Sequence, residues 1–178
     1  MSNATTLRWW RARRAYFSSI STSSRLKSGV RPGSCAPPQP VVDSALLAAK
    51  IAAVRDATAR VRAVLPNSAD AFAADRTARE VVTLNLFVAI QACLDLAAHW
   101  LADAGWEMPG TYADVFAALA RHGLIPRELA TRLAAAAAFR NLVAHQYGAL
   151  DWRRVYALAS SELGDLDMFC ATLAKRAT

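Results

Sequence analysis

Apolar residues return at helical intervals along most of the chain. Leu47, Ile51, Val54, Val61 and Leu65 share one stripe and predict a helix over 44–65. Asp43 or Ser44 can cap it, and Pro66 with Asn67 stops it. A second helix is predicted over 76–104, with Gly105 placed to end it. Its apolar face is wide, from Val82 and Leu86 through Ile90, Cys93 and Leu96 to Trp100 and Leu101. Such width suits contacts on two sides, within a bundle or across a dimer. Between these helices, 69–75 reads as a connector with Phe72 tucked beneath it. Thr111 caps a shorter helix to about residue 121, which His122 and Gly123 close. Pro126 sits at the first position of the next helix, which carries Leu129, Leu133 and the alanine run 134–138. Alanines let a neighbouring backbone come close, so this helix is expected near the centre. Asp151 caps a last helix over 151–173, with Val155, Ala159, Leu163, Leu166, Phe169 and Leu173 turned inward. No Thr/Val/Tyr alternation and no Asn-Gly hairpin competes with this pattern. The expected fold is an all-α bundle.

Composition divides the chain in two. Residues 1–40 are rich in Ser, Arg, Gly and Pro and offer little to bury. They hold seven of the 21 basic residues and none of the 14 acidic ones, so residues 41–178 carry 14 of each sign. The net charge of +7 therefore describes a basic, disordered arm over 1–40 and not the helical domain over 41–178. Arg8-Trp9-Trp10-Arg11 with Arg13-Arg14 has the make-up of a nucleic-acid or anionic-membrane contact, and an acid-free Arg/Ser start also suits a transit peptide. A third reading is preferred: the native protein begins at Val41, since valine codons serve as bacterial starts, and the arm is an upstream translation. The intact mass of the endogenous protein tests this, and a mass that includes Met1 ends it.

Cys35, Cys93 and Cys170 show no paired spacing, and the latter two read as small core residues in a reducing compartment. No Cys/His cluster suggests a metal site, and no cofactor is implied. No unbroken apolar run reaches the roughly 18 residues of a membrane span, so no membrane contact is expected of the body.

The chemistry concentrates at 139–151, FRNLVAHQYGALD. Around a helix, Arg140 and Tyr147 fall about 20° apart, and Asn141 and His145 about 40° apart. Two turns thus offer a fixed cation, an imidazole that titrates near neutrality, an amide and a phenol. Leu142 and Val143 can anchor the segment, and Gly148 is placed to end it with positive φ. RNA supplies its own nucleophile, the 2′-OH. Cleavage needs one proton removed, one donated, and charge stabilised on phosphorus. A histidine suits the proton transfers and an arginine the phosphate oxygens. Asn141 can donate to phosphate or orient His145. One histidine cannot readily be both acid and base, and two copies of the chain would supply both. Asp95 suits either a helix–helix or dimer hydrogen bond or the orienting of a group near the site. His99 reads as a core or interface residue and His122 as a loop residue. Arg153 and Arg154 read as solvated arginines or as neighbours of the site.

Arg140, Asn141, His145 and Tyr147 resemble the R-N-x-x-x-H-x-Y motif of the HepT toxin branch of the HEPN superfamily. Residues 85–97, NLFVAIQACLDLA, are similar to that family's second helix. The stretches Pro109-Gly110-Thr111-Tyr112 and Gly123-Leu124-Ile125-Pro126 are similar to its middle, and 151–173 to its last helix. The resemblance spans roughly 41–173 and departs from the family at Leu84, where an arginine is usual, and mildly at Ala144 and Gln146. It implies a HEPN-type antiparallel four-helix bundle with an extra short helix, assembled as a homodimer. It also implies a metal-independent endoribonuclease of the bacterial cytoplasm, acting on tRNA or mRNA through Arg140 and His145, with Asn141 in support. Its partner would be an MNT-type nucleotidyltransferase antitoxin that silences it by AMPylation of Tyr147. The alternative within the family is a non-catalytic helical module that binds a nucleotidyltransferase or a nucleotide. A helical protein that binds nucleic acid through the arm is a third reading.

Overall fold

The computed structural model describes residues 43–146, 148 and 150–177; the arm, Cys35, Tyr147 and Ala149 lie outside them. Seven helices make up the described fold: α1 Ser44–Val64, α2 Ala69–Ala74, α3 Arg76–Asp103, α4 Tyr112–Arg121, α5 Arg127–Gln146, α6 Trp152–Ser161 and α7 Leu163–Ala177. There is no strand among the described residues, in keeping with the all-α expectation. The long helices α1, α3 and α5, with α6 and α7 as the fourth arm, enclose a single core.

The predicted caps form. Asp43 Oδ1 accepts from the backbone N–H of Ala45 (2.9 Å) and Leu46 (3.2 Å). Thr111 Oγ1 accepts from Asp114 N at 3.2 Å, and Asp151 Oδ1 from Arg153 N at 3.0 Å. Each satisfies donors that a helix start leaves without an intrahelical partner. Gly105 (φ 67°) and Gly123 (φ 70°) take the left-handed conformation just past α3 and α4, as helix-ending glycines do. Gly148 was expected to do the same after α5, but it is not among the positive-φ glycines.

Helix α3 packs against each of the other six, most extensively against α1. That central place explains its wide apolar face. Leu86, Ile90, Cys93 and Leu101 are fully enclosed, and α5 brings Leu129, Leu133 and Ala137 against the core. By length and composition α3 could cross a membrane, but 56% of its most apolar window is buried inside the bundle. An unbroken-run criterion passes over it because Asn85, Gln91 and Asp95 interrupt the apolar positions. Phe116 of α4 meets Phe169 of α7 edge-on at 5.5 Å. Cys93 and Cys170 are buried and unbridged, as expected of core residues. They face one another across α3 and α7, and the hydrogen bond between the thiols, reinforced by burial, pushes the Cys93 thiol up.

Two further expectations need correction. The 69–75 connector contains a six-residue helix, α2, capped by Ser68. Its Phe72 is completely buried against Trp152 and Tyr156. The last helix is two helices, broken at Glu162. Ser160 and Ser161 both turn their hydroxyls back onto the Ala157 carbonyl, at 3.1 and 2.6 Å, and so compete with the helical ladder. The inward stripe passes from Ala159 to Leu163 and Leu166 without interruption, so periodicity alone does not reveal the break.

Candidate active site

Arg140, Asn141 and His145 occupy the last two turns of α5. Within the alanine run Ala136 and Ala137 are buried, and Phe139 is the last buried side chain of α5. Leu142 and Val143, half-buried, pack against the core as expected. Arg140 is half-buried and His145 is exposed. His145 lies five positions beyond Arg140, so the two leave the helix about 140° apart. One copy of α5 therefore does not direct both side chains along the same line.

Arg140 is closely held. Its guanidinium carbon lies 4.9 Å from the Phe87 ring centroid and 5.1 Å from that of Tyr112. Each ring face attracts the cation, and neither competes for its N–H donors in the plane. Nε donates to Gln91 Oε1 at 2.8 Å, and Nη1 to Asn141 Oδ1 at 3.2 Å. Asn141 thus joins the arginine; its expected role of orienting His145 has no counterpart in its bonding here. Gln91 Nε2 in turn donates to Asp95 Oδ1 at 2.8 Å, and Lys50 Nζ of α1 reaches Asp95 Oδ2 at 2.8 Å. Asp95 is therefore both a helix–helix ion pair and a group one link away from Arg140.

The remaining candidates lie apart. His99 sits half-buried 3.1 Å from Asp103 one turn later. Burial pushes the Asp103 carboxyl up, His99 pulls it back, and Asp43 adds to the rise. His122 stacks flat on Trp106 with ring centroids 3.8 Å apart. Arg153 is drawn to Asp70 of α2 at 2.8 Å in an exposed pair; such pairs contribute at most about 1 kcal/mol. Tyr147 falls outside the described residues. Gln91, Phe87 and Tyr112 were not singled out from the sequence. The spacing of Gln91 and Asp95, four apart on the apolar face of a long helix, was the available signal.

Beside the site, α3 leaves an apolar pair uncovered. Leu84 is 62% exposed and Val88 41%. Both fall on the same side of α3 as Gln91 and Asp95, within about 60° around the axis.

Bundle and motif together define a HEPN-type helical module. The family described as "Ribonuclease HepT-like" matches residues 54–173, and the chain belongs to it. It is 29% identical over 120 residues to an mRNA nuclease HepT of Shewanella oneidensis, a match covering 67% of this chain and 90% of that protein. Its fold superposes on a toxin–antitoxin crystal structure containing AMP-PNP with a TM-score of 0.70 and 26% identity, over 74% of this chain and 99% of the other. A tri-AMPylated Shewanella oneidensis HEPN toxin in complex with its MNT antitoxin gives a TM-score of 0.68 and 27% identity, over 73% and 97% of the two chains.

Proposed function

We propose that this protein is the toxin of a HEPN/MNT pair, an endoribonuclease that cleaves RNA without a metal at a composite site formed by two copies. The observation that carries the reading is Arg140, aromatically clamped and hydrogen-bonded, on the same helix end as an exposed His145 in a HepT-like chain. Arg140 binds the scissile phosphate and stabilises the charge that develops on it. A neutral imidazole takes the 2′-OH proton, O2′ bonds to phosphorus, and the P–O5′ bond breaks. An imidazolium gives O5′ its proton, leaving a 2′,3′-cyclic phosphate and a 5′-OH. The NH₂ of Asn141 is placed to donate to a phosphate oxygen.

The mechanism calls for two imidazoles, and each chain contributes one. A second copy seated on Leu84 and Val88 would bury exposed apolar surface next to Arg140. The Shewanella relative is called an mRNA nuclease, which makes mRNA the first substrate to test and tRNA the second. An RNA target places the activity in the bacterial cytoplasm. Expression in bacteria tests the reading: the wild type arrests growth and His145→Ala does not. Equal growth of the two would favour a non-catalytic module.

Control would fall on Tyr147, two residues beyond His145. Its phenol loses its proton as the oxygen attacks the α-phosphate of ATP on the antitoxin, pyrophosphate leaves, and the motif gains a phosphodiester charge two residues beyond His145. That charge and the adenosine would occupy the place of RNA phosphate. Tyr147→Phe is expected to cleave RNA normally and to remain toxic when the cognate nucleotidyltransferase is co-expressed. Rescue of growth by the partner in that variant would remove Tyr147 from the scheme.

A further inference from the structure

Behind Arg140 a file of side chains crosses three helices. Arg140 Nε donates to Gln91 Oε1, Gln91 Nε2 to Asp95 Oδ1, and Lys50 Nζ to Asp95 Oδ2, each at 2.8 Å. Gln91 and Asp95 stand one turn apart on α3, with Lys50 on α1 and Arg140 on α5. The donors and acceptors admit one arrangement. Arginine and lysine only donate, and an ionised carboxylate only accepts. Gln91 must therefore turn its carbonyl to Arg140 and its NH₂ to Asp95. Asp95 is 13% exposed, so water competes little for these bonds.

We propose that Gln91 and Asp95 are positioning residues for the cleavage reaction, with Lys50 as their anchor; this rests on the ribonuclease reading above. Fixing the Nε–H of Arg140 fixes the plane of its guanidinium, and so the directions of its other N–H bonds. Asp95 acts one step back, by keeping the Gln91 amide from turning over. The phosphate then meets an arginine already aimed, and the ordering cost is met during folding.

The same donor–acceptor order supplies the test. In Asp95→Asn, the new amide gives its oxygen to Lys50 and its NH₂ to Gln91. Gln91 must then turn its carbonyl to position 95 and its NH₂ to Arg140, where two donors meet. Adding Gln91→Glu repairs the file, because a carboxylate at 91 accepts from both neighbours. RNA cleavage and the exchange of the Arg140 Nε proton with water, read by ¹⁵N NMR, are compared in wild type, Asp95→Asn and the double variant. Asp95→Asn is expected to lose about tenfold to hundredfold in kcat, the scale of one hydrogen bond to a charged group, with little change in KM. The Nε proton should be protected in the wild type, exposed in Asp95→Asn and protected again in the double variant, with kcat recovering alongside it. A merely structural role would not restore kcat on charge exchange. An Asp95→Asn protein with wild-type kcat and a protected proton overturns the proposal. If the proton follows the expected pattern while no protein, wild type included, cleaves RNA, the arginine is positioned as described but the ribonuclease reading fails.

Discussion

His145→Ala and Arg140→Ala are each expected to reduce RNA cleavage by about 10²–10⁴-fold, the range for losing a proton-transfer group or a charge stabiliser. Far-ultraviolet circular dichroism of both variants should match the wild type. The two positions differ in what else they do. His145 is exposed in the last turn of α5, so its truncation should change stability by no more than about 0.5 kcal/mol. Arg140 is half-buried between Phe87 and Tyr112, and its removal strips Gln91 of a charged partner. A loss of about 1–3 kcal/mol is expected there, small enough to leave the bundle folded. Arg140→Lys separates the two roles. It keeps the charge but not the planar fork, so it should recover little of the activity. Loss of helicity in His145→Ala would show that the residue supports the fold and would undercut its catalytic role.

The second large effect acts through assembly and not through the reacting groups. Leu84→Asp combined with Val88→Asp should leave a folded single chain that no longer cleaves RNA. The two side chains are 62% and 41% exposed, so placing carboxylates there costs the monomer little. Buried against a second copy, the native pair would contribute about 1–2 kcal/mol per side chain, the part of full burial that their exposure leaves, and paired carboxylates across a twofold would repel. Sedimentation velocity gives the mass and a gel-based assay the activity. A fully active monomer would sink the composite site. Mixed dimers of wild type and His145→Ala give a finer check. If both imidazoles serve each cleavage, mixed dimers are inactive, and retention of half the activity would assign acid and base to one copy.

Much of this was legible from residue order alone, for identifiable reasons. Caps at Asp43, Thr111 and Asp151 are local events, decided by a side-chain oxygen two or three residues from the amide it accepts from. The central place of α3 follows from an apolar face too wide for one neighbour. The break at Glu162 was hidden because the buried positions on its two sides keep one continuous spacing. Helix α2 was missed because six residues are too few for a periodic signal. The clamp on Arg140 is the least local feature. Gln91 lies 49 positions from the arginine it holds, and Lys50 a further 41 towards the N-terminus. Nothing in their own surroundings marks them for that task. The arginine–histidine spacing could be read because one helix carries both residues.

The contact of α7 with α3 and α4 bears on how the bundle closes. Phe169 and Cys170 of α7 close over Phe116 and Cys93, which lie 53 and 77 positions earlier in the chain. A chain without α7 would leave the groove on α3 open and aggregation-prone, a substrate for proteases.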